Sequence, residues 1–236
     1  MGKTPGQKAA RVKGFKMSES EILRKIAVIF VTDVVGFSTL MAQNEELTLR
    51  SFRSCKEILD NLFEEHSGRI FNTAGDSVLA EFPSAVSAVI CAVEFQKLIK
   101  ARNASVTNAA QMQFRIGLNM GDVIIEGTNL YGDGVNVAAR LEALSQAGGV
   151  CLSKSIHDFV SQKVDLGFQD IGAQQVKNTN VHAFDVSIGG LAPRQIAPTP
   201  PAIEPVEAGA PPSIAVLPFK NMSTDAEQEY FADGVT

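Results

Sequence analysis

The 236-residue chain has no apolar run of the roughly 20 residues that a membrane-spanning helix needs. Its strongest apolar stretch, residues 26–31, runs into Asp33. No apolar signal core follows the basic start, so nothing marks the chain for export. Cysteine is scarce. Cys55, Cys91 and Cys151 lie far apart with no C-x-x-C, which suits a reducing compartment and buried small hydrophobes. His66, His157 and His182 are equally scattered and argue against a histidine-based metal site. No internal repeat is visible. The expectation is a cytoplasmic protein with no membrane span.

What is present is ordinary for a folded chain: 45% apolar residues, 20% charged and a mean hydropathy of +0.07. Global disorder needs lower hydrophobicity and a higher net charge. The net charge of −5 conceals an asymmetry. Lys3, Lys8, Arg11, Lys13 and Lys16 stand in the first 16 residues without an acid, and the remainder carries net −10. An acidic body lacks the basic face that displaces phosphate counterions, so no nucleic-acid partner is expected. The basic start reads as a flexible leader over 1–23.

The β-branched run at 25–32 predicts a strand ending in D-V-V-G-F-S, 33–38. A long helical pattern follows, with Leu40, Leu47, Leu49, Phe52, Ile58, Leu59 and Phe63 on its apolar face, stopped by Ser67-Gly68. Residues 69–72 and 77–82 read as a hairpin around T-A-G-D. Pro83-Ser84 opens a second helix through Lys100. Met112, Phe114, Ile116 and Leu118 alternate with polar or small residues as a strand, and Gly121-Asp122 predicts a hairpin into 123–125. A helix over 135–147, a strand over 150–153 and weaker strands near 168–169 and 183–186 complete the pattern. The order β-α-β-β-α-β predicts an α+β fold with a ferredoxin-like core and additional strands and helices.

Seven of the ten prolines fall within 193–212, marking an extended linker over 188–212. Beyond it S-I-A-V-L-P-F, 213–219, reads as a new buried strand and as the start of a second domain cut short at Thr236.

Asp33 ends the first strand and Asp76 occupies the turn of the first hairpin. In a ferredoxin-like fold those points lie side by side. Two carboxylates there suit a pair of Mg²⁺ ions against phosphates, because hard cations take oxygen ligands. Gly36 permits a close turn, and the backbone N–H groups of 34–38 open a helix as an anion cradle. The plain alternative makes Asp33 a helix cap and Asp76 a turn residue. In Y-G-D-G-V-N-V-A-A-R, 131–140, Asn136 and Arg140 share a helix face four residues apart. Arg140 suits stabilisation of phosphoryl charge; its plain alternative is a surface ion pair with Glu142 or Asp133. The Gly132-Asp133-Gly134 run follows no strand of a repeated βαβ unit, which discounts a dinucleotide fingerprint.

The motifs F-V-T-D-V-V-G-F-S, N-T-A-G-D-S and Y-G-D-G-V-N-V-A-A-R-L-E, in this order and spacing, resemble the catalytic domain of class III nucleotidyl cyclases over 24–187. The resemblance implies a homodimer with two interfacial active sites, each completed by both chains. It implies Asp33 and Asp76 as ligands of two Mg²⁺ or Mn²⁺ ions per site. Asn136 and Arg140 of the other protomer would hold the ribose and stabilise the transition state. Lys177, in V-K-N, resembles the family's triphosphate lysine, and Val34, Val35, Gly36 and Phe37 would offer backbone contacts to phosphate. The segment 213–236 resembles the start of TolB-like domains and implies a longer bacterial protein with a partner-binding region. No G-G-[DE]-E-F turn supports a diguanylate cyclase.

Two positions depart from the family pattern. Where adenylyl cyclases usually carry a base-reading lysine stands Asn72, and where they usually carry aspartate stands Asn129. Each amide offers a donor and an acceptor, so the pair is able to take adenine, tolerate guanine or bind both loosely. The expected function is conversion of ATP to 3′,5′-cyclic AMP and pyrophosphate. A guanylyl cyclase, or a degenerate nucleotide-binding or dimerising regulatory module, is the alternative.

Overall fold

The computed structural model describes residues 22–176 and 179–195. Lys177, most of the expected leader and linker, and the TolB-like segment fall outside the described residues. Strand β1 (Leu23–Val34) holds the apolar stretch 26–31 and becomes the spine of the sheet. After it come helices α1 (Phe37–Gln43) and α2 (Glu45–Glu65), then the hairpin β2 (Arg69–Ala74) and β3 (Ser77–Phe82), helix α3 (Ala85–Ser105) and strand β4 (Phe114–Glu126). Strand β5 (Asn129–Tyr131), helix α4 (Asp133–Leu144), strand β6 (Val150–Ser153), helix α5 (Lys154–Val160) and strands β7 (Phe168–Val176) and β8 (Thr179–Val186) follow.

The sheet runs β2-β3-β1-β4-β6-β8-β7, with β5 paired to β4. Within its first four strands each neighbouring pair runs antiparallel, which is the expected ferredoxin-like core. Strand β6 joins β4 in parallel and β8 and β7 add antiparallel.

Side chains alternate across β1, and each set finds its own layer. Val28, Phe30 and Val34 pack with Leu59, Val89, Phe95 and Ile156 of α2, α3 and α5. Phe63 meets Phe30 and Phe82 edge-on, with ring centroids 5.1 and 5.4 Å apart. Ala27, Ile29 and Val31 face the other way and pack with Ala138 of α4. Val137 and Leu141 of the same helix pack on Cys151, Ile171 and Ala183. All three cysteines are buried and unpaired, and burial pushes the Cys91 thiol up to about 12.

Five sequence expectations change. The helical pattern over 40–63 is two helices, because Asn44 adopts extended backbone and its side chain accepts the Leu47 N–H to cap α2. Helix α3 runs five residues beyond Lys100. Gly121-Asp122 is not a turn: twelve consecutive pairs from Leu23↔Ile125 to Val34↔Phe114 hold it extended against β1. The reversal falls instead at Gly127, in the left-handed region at φ 60°. Helix α5 was not expected. The folded layer also continues past Val186, with Ile188 buried and Arg194 hydrogen-bonded to β7 and β8.

Candidate active site

The T-A-G-D turn places Asp76 beside the end of β1. Gly75 takes φ 63°, closing the hairpin in two residues, and the Val34 N–H donates to Asp76 Oδ2 at 3.1 Å. Ser77, the first residue of β3, donates its hydroxyl to Asp33 Oδ1 at 2.7 Å. The two acids named from sequence therefore share one corner. Burial first, and then the Asp33 carboxyl alongside, hold the Asp76 carboxyl above its ordinary range, opposed by the Val34 N–H. A like-charged pair supplying only hard oxygen donors fits divalent cations such as Mg²⁺ or Mn²⁺. Among the described residues no third acid, histidine or cysteine joins them as a ligand cluster.

Two further residues complete this corner. Arg115 lies directly across from Asp33 on β4, with its Nη2 3.4 Å from Asp33 Oδ2. Glu142 Oε1 stands 2.9 Å from Arg115 Nε, yet off the hydrogen-bond angle, so both buried atoms lack a hydrogen-bond partner. Burial, reinforced by Asp33 and Asp76 and opposed by Arg115, pushes the Glu142 carboxyl up to about 7. Sequence reading passed over Arg115, because an arginine on an alternating strand reads as solvent-facing, and took Glu142 only as an ion-pair partner for Arg140. The register of Arg115, opposite Asp33 on the face that α4 covers, is set by the sheet and not by any local pattern.

The phosphate-cradle residues divide. Val34 N–H is taken by Asp76, and Val35 N–H donates to Gln113 O at 2.8 Å. Gly36 turns in the left-handed region at φ 67° and accepts from Thr39 and Leu40 through its carbonyl. Phe37 begins α1, and its ring packs edge-on against Phe52 at 5.5 Å. Among the described residues no hydrogen bond takes the N–H groups of Gly36, Phe37 and Ser38 in this turn.

Helix α4 carries the second cluster. A Cβ on Gly134 would meet Asp122 O at 2.9 Å and one on Gly117 would meet Ala138 O at 2.2 Å, so α4 descends along β4 toward the Asp33 end. Asn136 is exposed. Arg140 Nη1 donates to Thr179 Oγ1 at 2.6 Å, at the head of β8 and three strands across the sheet from β1. Neither expected ion pair forms: Arg140 turns to Thr179, and Glu142 to Arg115. Among the described residues no hydrogen bond or ion pair joins Asn136 or Arg140 to Asp33 or Asp76. Lys177 belongs to the β7–β8 connection, outside the described residues.

Asn72 follows a bulge in β2 that sets it opposite Leu79, and Leu79 pairs with Val31. Residues directly opposite share a face, so Asn72 lies on the Asp33 side of the sheet, one row along. Asn129 begins β5, and its amide donates to Tyr131 Oη at 3.3 Å. Arg69 of β2 reaches the neighbouring Thr128 O at 2.8 Å, tying the β4–β5 turn to the strand that carries Asn72. A cavity of about 440 Å³ lined by Lys25, Ile26, Arg69 and Glu81 lies toward the other end of β1 from Asp33.

The model of the adenylate and guanylate cyclase catalytic domain matches residues 18–187. A protein of Rhizobium meliloti named putative adenylate cyclase 3 is 44% identical over 224 residues, covering 93% of this chain and 38% of that protein. The chain thus spans well under half the length of that relative. An adenylate/guanylate cyclase/hydrolase structure from Silicibacter pomeroyi is 35% identical, with TM-score 0.65, covering 70% of this chain and 98% of that one. The adenylyl cyclase CyaB of P. aeruginosa shares the fold at 24% identity and TM-score 0.62, covering 75% and 99%. Among the described residues no helix is long and apolar enough to cross a membrane. With 170 of its 236 residues under one family model and that family's fold around the paired aspartates, the chain belongs to the adenylate and guanylate cyclase catalytic-domain family.

Proposed function

We propose that the chain converts ATP to 3′,5′-cyclic AMP and pyrophosphate at sites shared between two protomers of a homodimer. The observation that carries this reading is the corner in which Asp33 and Asp76 stand side by side, fixed by Ser77 and the Val34 N–H. These two carboxylates would hold Mg²⁺ or Mn²⁺, two ions per site, which lower the proton affinity of the ribose 3′-hydroxyl and offset charge on the leaving pyrophosphate. Gly36 and Phe37 offer backbone N–H groups to the triphosphate, with Lys177 as a further cation. Arg140 stabilises charge on the α-phosphoryl group as the 3′-oxygen attacks in line, and Asn136 orients the ribose. Asn72 and Asn129 read the base. The separation of Arg140 from Asp33 within one chain supports a site completed by the partner.

ATP is favoured over GTP by the 44%-identical relative's name. The segment after the linker is proposed as the start of a TolB-like partner-binding domain. The test is product formation by the purified chain from ATP and from GTP, in Mg²⁺ and in Mn²⁺. Cyclic AMP that vanishes in Asp33→Asn is the expected result. Mixing Asp33→Asn with Arg140→Ala chains restores one intact site per heterodimer. No product in all four conditions, from a dimeric chain, overturns the reading.

A further inference from the structure

Arg194 lies seven residues beyond the end of the family match at 187, in the stretch whose proline content reads as linker. Its side chain is nonetheless among the most engaged in the molecule. Nε and Nη2 donate to the two oxygens of Asp185 at 2.8 and 3.1 Å. The same Nη2 donates to Leu144 O at 2.7 Å. Its backbone N–H donates to Gln169 Oε1 at 2.9 Å, and Gln169 Nε2 returns a bond to Arg194 O at 2.7 Å. Asp185 is 8% exposed, and this guanidinium reaches both of its oxygens.

Leu144 is the last residue of α4, and its carbonyl is one of those a helix end leaves without an intrahelical donor. An arginine there supplies both the missing hydrogen bond and a positive charge at the negative end of the helix. Arg194 thereby bolts the end of α4 to β8, and Arg140, one turn upstream, bonds Thr179 on that same strand.

We infer that Arg194 is a positioning residue for the cyclase reaction: it fixes the carboxy-terminal end of α4 against β8 and so sets where Asn136 and Arg140 stand. The catalytic unit then extends to residue 195. This rests on the proposed roles of Asn136 and Arg140. Lysine at 194 can neutralise Asp185, but it lacks the planar fork that reaches Asp185 and Leu144 O together. Arg194→Lys therefore separates charge balance from the helix tie.

The experiment compares full chains carrying Arg194→Ala, Arg194→Lys and Lys100→Ala. Lys100 donates to Gly189 O at 2.9 Å, so its removal loosens the same segment without touching α4. Expected for both Arg194 variants is a fall in kcat of about tenfold or more with KM for ATP held within about twofold. Amide exchange over 141–146 should quicken by about tenfold, with Mn²⁺ affinity unchanged and Lys100→Ala resembling wild type. Wild-type kcat and exchange in Arg194→Lys, or equal losses in Lys100→Ala, overturn the inference. A silent wild type defeats the proposed activity instead, and the exchange rates over 141–146 still decide whether Arg194 holds the helix.

Discussion

Gly117 of β4 and Ala138 of α4 touch backbone to backbone: a methyl on Gly117 would stand 2.2 Å from the Ala138 carbonyl oxygen and 2.1 Å from the Glu142 amide nitrogen. Neither atom is the end of a flexible side chain, so the helix itself would have to move. Helix α4 carries Asn136, Arg140 and Glu142, so its height above the sheet is a property of the site. Gly117→Ala should cost about 1–3 kcal/mol or more through overpacking. Thermal unfolding should show the loss as a fall of several degrees, and cyclic nucleotide formation should drop further than the stability change accounts for. An unaltered melting temperature would show that α4 is not seated on Gly117.

The same contact explains what sequence reading caught and missed. Strand β1, helix α2 and the β2–β3 hairpin declare themselves by local periodicity and by Gly75 in the turn. Asp33 and Asp76 come together because a βαββ unit leaves no other place for them. Gly121-Asp122 misleads because a Gly-Asp pair is good turn chemistry in isolation, whereas twelve backbone pairings to β1 decide otherwise. Arg115 and Glu142 are illegible for a different reason. Nothing in the chain says which face of β4 lies under α4, and only that face gives an arginine a buried carboxylate. Helix α5 contributes just two buried residues, Ile156 and Val160, too few for a periodic signal. Arg194 is hidden because it follows Pro193 and precedes the other six prolines of the 193–212 run.

Glu142 predicts a pH dependence of stability. Burial pushes its carboxyl up from an ordinary 4.5 to about 7 in the folded chain. A carboxyl whose folded value is raised binds its proton more tightly when folded. The stability this brings is fully present below about 4.5 and is lost as pH rises through about 7. The full span is on the order of 3 kcal/mol. Glu142→Gln cannot lose it. In EDTA, the melting temperature of Glu142→Gln relative to wild type should rise from pH 5 to pH 8. A constant difference across that window would mean Glu142 keeps an ordinary carboxylate value.

Thr179 predicts a graded effect on Arg140. The hydroxyl accepts from Arg140 Nη1 at 2.6 Å, and hydrogen bonds to charged groups contribute about 1.5–3 kcal/mol. Part of that is recovered when water replaces the hydroxyl at this half-buried site, so Thr179→Val should reduce kcat by about three- to tenfold. Arg140→Ala removes the charge itself and should cost about 100-fold or more in kcat. Equal losses in the two variants, measured as initial rates at saturating ATP, would assign the role to Thr179 rather than to the guanidinium.

Asn72 and Asn129 predict how the base is read. Asn72 lies on the Asp33 face of the sheet, and Asn129 follows Thr128, whose carbonyl Arg69 of β2 holds. Amides at both points can rotate to offer donor or acceptor, so neither rejects guanine by charge or by a fixed pattern. Asn72→Lys combined with Asn129→Asp replaces two adaptable groups by a fixed donor and a fixed acceptor. Each charge-assisted bond adds about 1.5–3 kcal/mol where it is satisfied and withholds that amount where it is not. The ATP-to-GTP ratio of kcat/KM should therefore rise about 10–100-fold in the double variant, and either single change should give less than half of that free energy, because an unmatched charge beside an amide leaves one edge of the base unread. A ratio that does not move, in a variant that still turns over ATP, would place base recognition elsewhere than on β2 and the β4–β5 turn.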